Sequence, residues 1–163
     1  MDFYFSSQFQ IFFQLFLAVV LGGIIGLERE YKRKEAGIRT FALVCLGATL
    51  FTTVSFESFN LFINQRGISF DPARIIGQIV VGIGFIGAGL IIYRRFHVEG
   101  LTTAAGLWVT AAVGIAVGIR LYLIAVFTTF LAMGILIGVR IIEEKWLRTK
   151  PGEDEERFKD SNQ

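Results

Sequence analysis

The chain is poor in the residues that form disulfides, bind metals and perform acid–base chemistry. Its 163 residues include one cysteine, Cys45, and one histidine, His97. A single cysteine excludes a disulfide within the chain and a four-cysteine metal site. Neither residue has a metal-ligating partner at useful spacing, and no Ser/His/Asp or Cys/His cluster indicates catalysis. The sequence therefore predicts no enzymatic activity and no cofactor, and it leaves metal binding undecided.

Charge is absent from long parts of the chain. A helix needs roughly 20 apolar residues to cross the ~30 Å hydrocarbon core of a bilayer. Five stretches approach that length, and the last three contain no charged residue, whereas soluble core helices are rarely apolar on every side. The sequence therefore predicts an all-α, polytopic membrane protein with five transmembrane helices. The predicted spans are residues 9–27, 40–59, 75–93, 101–119 and 121–139.

The composition changes near the end of the chain. We predict a membrane domain over residues 1–142 and a short charged cytoplasmic tail over 143–163. Pro151 and Gly152 end any helix there, and the polar residues that follow are typical of a disordered segment. No basic residue precedes the first apolar stretch, so we expect that the N-terminus is not a cleavable signal peptide.

Lys and Arg are distributed unequally between the two sides that five crossings create. Of the 16 basic residues, 13 fall on the side that holds the loop 28–39 and the C-terminal segment. Only Arg66, Arg74 and Arg120 fall on the other side. Because short loops rich in Lys and Arg remain in the cytoplasm, the N-terminus is predicted outside and the C-terminus in the cytoplasm.

Glycine is abundant in the apolar stretches, and residues 82–87 match the dinucleotide-binding pattern GxGxxG. Here the pattern lies inside an apolar span, without the strand before it or the acidic residue about 20 positions later that nucleotide binding requires. Glycines in membrane helices let neighbouring backbones approach closely, and we favour this interpretation. The predicted packing positions are Gly22, Gly26, Gly82, Gly84, Gly87, Gly106, Thr110, Gly114 and Gly118.

Three polar residues, Asp71, Arg74 and Gln78, share one face of the third predicted helix. Asp71 and Pro72 are typical of a helix start, with Asp71 as the N-cap. Gln78 lies about one turn deeper, where an unpaired amide costs free energy. We therefore predict a hydrogen-bonded cluster packed against neighbouring helices. The alternative is a capped helix end whose side chains extend to the interface.

A second polar group lies in the first loop and at two helix starts. Glu28 and Glu30 could hold a hydrated Mg²⁺, but the basic residues nearby favour a solvated charged collar. Gly37 is predicted to end the first helix, and Thr40 to cap the second. Free N–H groups at both helix starts would favour an anion, such as a lipid phosphate, a soluble phosphate or a partner's carboxylate. The candidates in this group are Glu28, Arg29, Arg39, Thr40, Thr102 and Thr103.

Six segments together resemble the MgtC/SapB family of bacterial membrane proteins. They occur in the family's order and spacing, which makes the match specific. The resemblance implies a multi-pass protein of the bacterial cytoplasmic (inner) membrane, linked to growth in low magnesium and, in pathogens, to survival inside host cells. The segments are GLERE (26–30), AGIRT (36–40), LVCLGATLF (43–51), DPARI (71–75), GIGFIGAG (82–89) and GLTTAAGLW (100–108).

Three functions are open at this stage. The first, which we favour, is a non-enzymatic regulator that contacts another membrane complex; the resemblance implies the membrane sector of ATP synthase. The second is a small Mg²⁺ transporter or channel, with the face of Asp71, Arg74 and Gln78 along its path. The third, a membrane enzyme, is the least favoured. The expected partners are the lipid bilayer and either another membrane protein or further copies of the chain, and no nucleic acid.

Overall fold

Five helices dominate the computed structural model, which describes residues 2–62, 71–94 and 97–139. Five helical segments, the fifth of which includes the π-helical turn Ile135–Val139, are long and apolar enough to span a membrane, which confirms the five-helix prediction. The predicted tail, 143–163, lies outside the described residues. The elements are α1 (Asp2–Tyr31), α2 (Ile38–Phe62), α3 (Pro72–Leu90), β1 (Ile92–Arg94), β2 (His97–Glu99), α4 (Leu101–Gly118) and α5 (Tyr122–Gly134), followed by a π-helical turn (Ile135–Val139).

The chain divides into two compact units, residues 1–132 and 133–163. The first unit contains α1 to α4 and most of α5. Within it, α2 and α4 pack against each other, α1 packs against both, and α3 packs against α4 and α2. The second unit, described over residues 133–139, contains the end of α5 and the π-helical turn.

Glycines in α1 and α4 bring these helices close to α2. A Cβ atom on Gly22 would lie 2.7 Å from Cys45 Cβ, and one on Gly114 would lie 2.4 Å from the Cys45 carbonyl oxygen. Real Cβ atoms essentially never come so near, so these backbones approach only because both positions lack a side chain. Gly26 and Gly118 lie in similarly close contacts, with Ile38 and Thr52.

The glycines of α3 differ from those of α1 and α4. No described atom outside the immediate helix backbone comes within 4 Å of a Cβ built on Gly82 or Gly84. The packing predicted for these two residues is therefore not found among the described residues. Gly87 is in ordinary contact with Ala104, at 3.6 Å. The reason is the orientation of α3, which turns Ile83 and Gly87 toward α4 and leaves its other faces exposed.

Helices α1 and α4 end in the same backbone motif. Arg33 and Arg120 adopt left-handed conformations, with φ of 52° and 66°, at the position after the helix where glycine is most common. In α4, the N–H of Arg120 donates to the Val117 carbonyl at 3.0 Å, and the N–H of Leu121 donates to the Ala116 carbonyl at 2.8 Å. The expectation that Gly37 ends the first helix is therefore wrong, because the chain already leaves α1 at Arg33.

The third predicted span is too long at its end. It was predicted to reach Tyr93, but α3 ends at Leu90, and β1 then pairs antiparallel with β2. An apolar run of β-branched and aromatic residues does not by itself distinguish a helix end from a short strand. Gly100 then turns the chain into α4 with φ of 84°, where a Cβ would lie 2.0 Å from the Leu90 carbonyl oxygen. This hairpin is a small exception to the all-α prediction.

Candidate functional site

The end of α1 carries an ion pair that is buried, contrary to the solvated collar favoured from the sequence. Glu28 and Arg29 have exposed side-chain fractions of only 6% and 5%, and Arg29 Nε donates to Glu28 Oε2. Glu28 Oε1 is buried and has no hydrogen-bond partner among the described residues. A buried charge is tolerated only when it is paired with an opposite charge. Burying this pair costs free energy, because both groups lose their contacts with water.

The start of α2 is capped by a carboxylate from α1. Glu30 Oε2 accepts a hydrogen bond of 2.9 Å from the N–H of Ile38, the first residue of α2. Gly37 permits this contact, because a Cβ there would lie 2.6 Å from Glu30 Oε2. Thr40 lies inside the helix rather than at its cap, so that prediction is wrong. Arg39 is exposed.

The start of α4 also meets a carboxylate of the chain itself. The buried Thr103 hydroxyl donates a 2.8 Å hydrogen bond to Glu35 Oε2. Hydrogen bonds from the backbone N–H of Glu35 and from Thr103 lower the pKa of this carboxyl below its usual value. At both helix starts, where a phosphate or a partner's carboxylate was predicted, the chain supplies its own carboxylate. Thr102, the other candidate here, is exposed.

The predicted cluster on α3 does not form among the described residues. Asp71 is the N-cap, as predicted, and its side chain accepts a 2.9 Å hydrogen bond from the N–H of Ala73. Arg74 and Gln78 are both exposed, and the described part of the chain shows no side-chain hydrogen bond or ion pair linking them to the Asp71 carboxylate; only the backbone N–H of Arg74 bonds to the Asp71 carbonyl, at 3.1 Å. The face they share points away from α4. A role of these residues in function stays a prediction.

A polar group near the opposite end of α4 was missed from the sequence. Gln14, fully buried in α1, donates from Nε2 to the carbonyl oxygens of Val117 and Gly118, at 2.9 and 3.1 Å. Four further side-chain oxygens of α2 and α5 are buried without a partner in the described chain, as is Gln14 Oε1. Buried polar atoms normally have hydrogen-bond partners, so this concentration is unusual. The four are Thr52 Oγ1, Thr53 Oγ1, Ser55 Oγ and Tyr122 OH.

Beside this group lies an ion pair between α2 and the α4–α5 turn. Arg120 Nη2 is 3.1 Å from Glu57 Oε1, and the two side chains are 48% and 36% exposed. A cavity of about 210 Å³ adjoins the pair. Two sequence signals could have identified this group: Glu57 is the only acidic residue of the second predicted span, and Gln14 interrupts the apolar residues of the first.

Comparison of the sequence with known proteins identifies the family of the chain. The MgtC family model matches residues 15–145. The chain belongs to the MgtC family. The resemblance found in the sequence is thereby confirmed. No solved structure gives a significant match.

Three relatives show how far the similarity extends. YhiD of Escherichia coli strain K12 is 41% identical over 123 residues, covering 76% of this chain and 57% of YhiD, and its name proposes a magnesium transporter. SrpB of Synechococcus elongatus is 37% identical, over 83% of this chain and 79% of SrpB. MgtC of Brucella abortus is 48% identical, over 62% of this chain and 39% of MgtC. The chain thus spans little more than half of YhiD and less of the Brucella protein.

Proposed function

We propose that this MgtC-family protein is a non-enzymatic regulator that presents the exposed face of α3 to a transmembrane helix of another membrane complex. The observation that carries the proposal is the composition of that face. Gln78, Gly82, Phe85 and Gly89 share one side of α3 and are all exposed, Phe85 by 84%. An amide in hydrocarbon requires a partner, and glycines admit a close backbone.

Large apolar side chains make up most of the exposed surface of α1 and α5. Leu123, Phe127 and Phe130 on α5 are 85%, 65% and 64% exposed, and Phe12 and Phe16 on α1 are 67% and 69% exposed. Such large apolar side chains suit lipid tails. A face with glycines and an amide suits another helix, on which we expect small residues and a side chain that hydrogen-bonds Gln78.

The partner we propose is the membrane sector of ATP synthase, and the process is adaptation to low magnesium, in pathogens also inside host cells. The family resemblance supports both. The name of YhiD supports the alternative of magnesium transport for this chain. Transport would require magnesium uptake by the purified protein in vesicles, whereas the regulatory function requires a contact between α3 and the partner complex.

Two substitutions on α3 are expected to abolish function without unfolding the protein. Gln78→Leu and Gly82→Leu place apolar side chains on the proposed contact face, where the described residues leave space. We expect loss of growth in low magnesium at unchanged expression and melting temperature. A photo-crosslinker at Val81, which is 69% exposed, should link to an ATP synthase membrane subunit, whereas one at Leu123 should not. Normal growth of both variants, or crosslinks only between copies of this chain, would contradict the proposal.

We propose that the protein lies in a bacterial cytoplasmic membrane. The distribution of basic residues predicts Arg33 on the cytoplasmic side and Leu121 on the outer side. Thr103, near the start of α4, contacts Glu35, which lies two residues after Arg33. Gly118, at the end of α4, contacts Gln14 and lies three residues before Leu121. Arg33 and Leu121 are therefore expected near opposite ends of α4. In intact cells, an impermeant thiol reagent should label Leu121→Cys and not Arg33→Cys, while buried Cys45 stays unlabelled. If only Arg33→Cys is labelled, the orientation is the opposite of the one proposed.

A further inference from the structure

The cavity at the end of α4 combines two opposite charges with a buried hydroxyl. Its volume of about 210 Å³ far exceeds the ~30 Å³ share of one water molecule, so it has room for a small organic group. It adjoins the end of an 18-residue apolar span, the level at which lipid headgroups lie. The lining residues are Thr53, Phe56, Glu57, Gly118, Ile119 and Arg120.

Arg120 occupies a backbone position that favours glycine, and its side chain reaches the cavity from there. The residue has φ of 66°, in a helix-ending motif where glycine is preferred and other residues are strained. From this position the guanidinium reaches Glu57 at 3.1 Å. Because both side chains are partly exposed, their ion pair contributes little to folding, and each can exchange its partner for a ligand at small cost.

Thr53 supplies an independent sign of a ligand. Thr53 is one of the residues that line the cavity, it is only 3% exposed, and its buried Oγ1 has no hydrogen-bond partner among the described residues. A buried hydroxyl without a partner is costly. A rotation of the Thr53 side chain would turn its hydroxyl into the cavity, where one hydrogen-bond donor could contact both the Thr53 oxygen and the Glu57 carboxylate.

We propose that this cavity binds the headgroup of a phospholipid that carries both a phosphate and a primary ammonium. The phosphate binds the Arg120 guanidinium, whose planar donors suit phosphate oxygens. The ammonium donates hydrogen bonds to the Glu57 carboxylate and, after rotation of the Thr53 side chain, to the Thr53 hydroxyl oxygen. The ligand replaces one internal ion pair by two charge-assisted contacts and leaves the net charge of the site unchanged.

The test compares three short-chain phospholipids on the purified protein in detergent. The dihexanoyl forms of phosphatidylethanolamine, phosphatidylcholine and phosphatidylglycerol are titrated and bound lipid is counted by native mass spectrometry. Phosphatidylcholine keeps both charges but has no N–H, and phosphatidylglycerol has no ammonium. We expect one molecule of phosphatidylethanolamine to bind, at least about tenfold more tightly than the other two lipids, as charge-assisted hydrogen bonds imply.

Three variants separate binding from folding. Arg120→Gly relieves the left-handed position, so its melting temperature should match or exceed that of the wild type while its affinity for all three lipids falls. Glu57→Gln should remove the preference for phosphatidylethanolamine, and Thr53→Val should reduce it. Thr110→Val is the matched control, because Thr110 is also a buried threonine but donates to the Gly106 carbonyl, away from the cavity residues.

Soluble O-phosphoethanolamine distinguishes a lipid headgroup from a free amino phosphate as the ligand of the cavity. If it binds as tightly as the lipid and shows the same dependence on Glu57 and Arg120, the site is supported and its ligand is a soluble amino phosphate. Equal affinity of the wild type for the three lipids, or a preference that survives Glu57→Gln, would show that the cavity does not select the ammonium group and would overturn the proposal. The α3 contact is unaffected by either result.

Discussion

Gly114→Leu is expected to destabilise the protein by at least about 3 kcal/mol, at the upper end of overpacking costs. A single Cβ at Gly114 would already lie 2.4 Å from the Cys45 carbonyl oxygen and 2.9 Å from Ala48 Cβ. The first of these atoms belongs to the backbone of α2, so no side-chain rotation relieves the clash. The α2 and α4 helices must separate, and Thr49, which donates a 2.8 Å hydrogen bond to the Gly114 carbonyl, loses its partner.

The single cysteine provides the measurement. Cys45 is fully buried between the helices and becomes reactive when they separate, so a thiol-reactive fluorescent dye reports unfolding directly. Gly47→Leu is the matched control, because no atom of the described residues lies within 4 Å of a Cβ built on Gly47 in α2. We expect its cost to stay below about 1 kcal/mol, as for surface substitutions away from special features. Equal melting temperatures for the two variants would mean that the close contact is not required.

Glu28→Ala is expected to cost about 3–5 kcal/mol, because it leaves the buried Arg29 guanidinium without its counter-charge. The double variant Glu28→Gln/Arg29→Met removes both charges and should recover much of the loss, since no buried ion is then left without its counter-charge. The free energies of unfolding of the wild type, Glu28→Ala and the double variant would be compared in mixed detergent micelles.

The exposed pair Glu57–Arg120 is the matched control for the buried pair. Its side chains are 36% and 48% exposed, against 6% and 5% for Glu28 and Arg29. Glu57→Gln should therefore cost no more than about 1 kcal/mol. Two results would show that the Glu28–Arg29 pair is not required for stability. In the first, Glu28→Ala is as stable as Glu57→Gln; in the second, the double variant is no more stable than Glu28→Ala.

Carboxylates of the chain itself organise one end of the molecule. Glu28 pairs with Arg29, Glu30 caps α2 and Glu35 accepts from Thr103. Two of these three contacts link α1 or the segment after it to other helices, so this end is held by polar contacts as well as by apolar packing. We therefore assign Glu30 and Glu35 to structure, and seek function on α3 and in the cavity.

Composition and spacing alone determined the membrane class and the number of spans, because crossing hydrocarbon demands apolar runs of a fixed length. The Asp71 cap was equally predictable, since capping depends on residues adjacent in the chain. The order and spacing of short segments also identified the family. All of these are properties of contiguous sequence.

Only the tertiary structure decided which side of each helix is buried. The glycines of α3 and α4 look alike in the sequence, yet Gly114 touches α2 while Gly82 is open, because rotation about a helix axis is set by the neighbouring helices. For the same reason the sequence misassigned Glu28 to solvent. It also missed the pairing of Glu57 with Arg120, 63 residues apart, since such contacts depend on which helix ends the fold brings together.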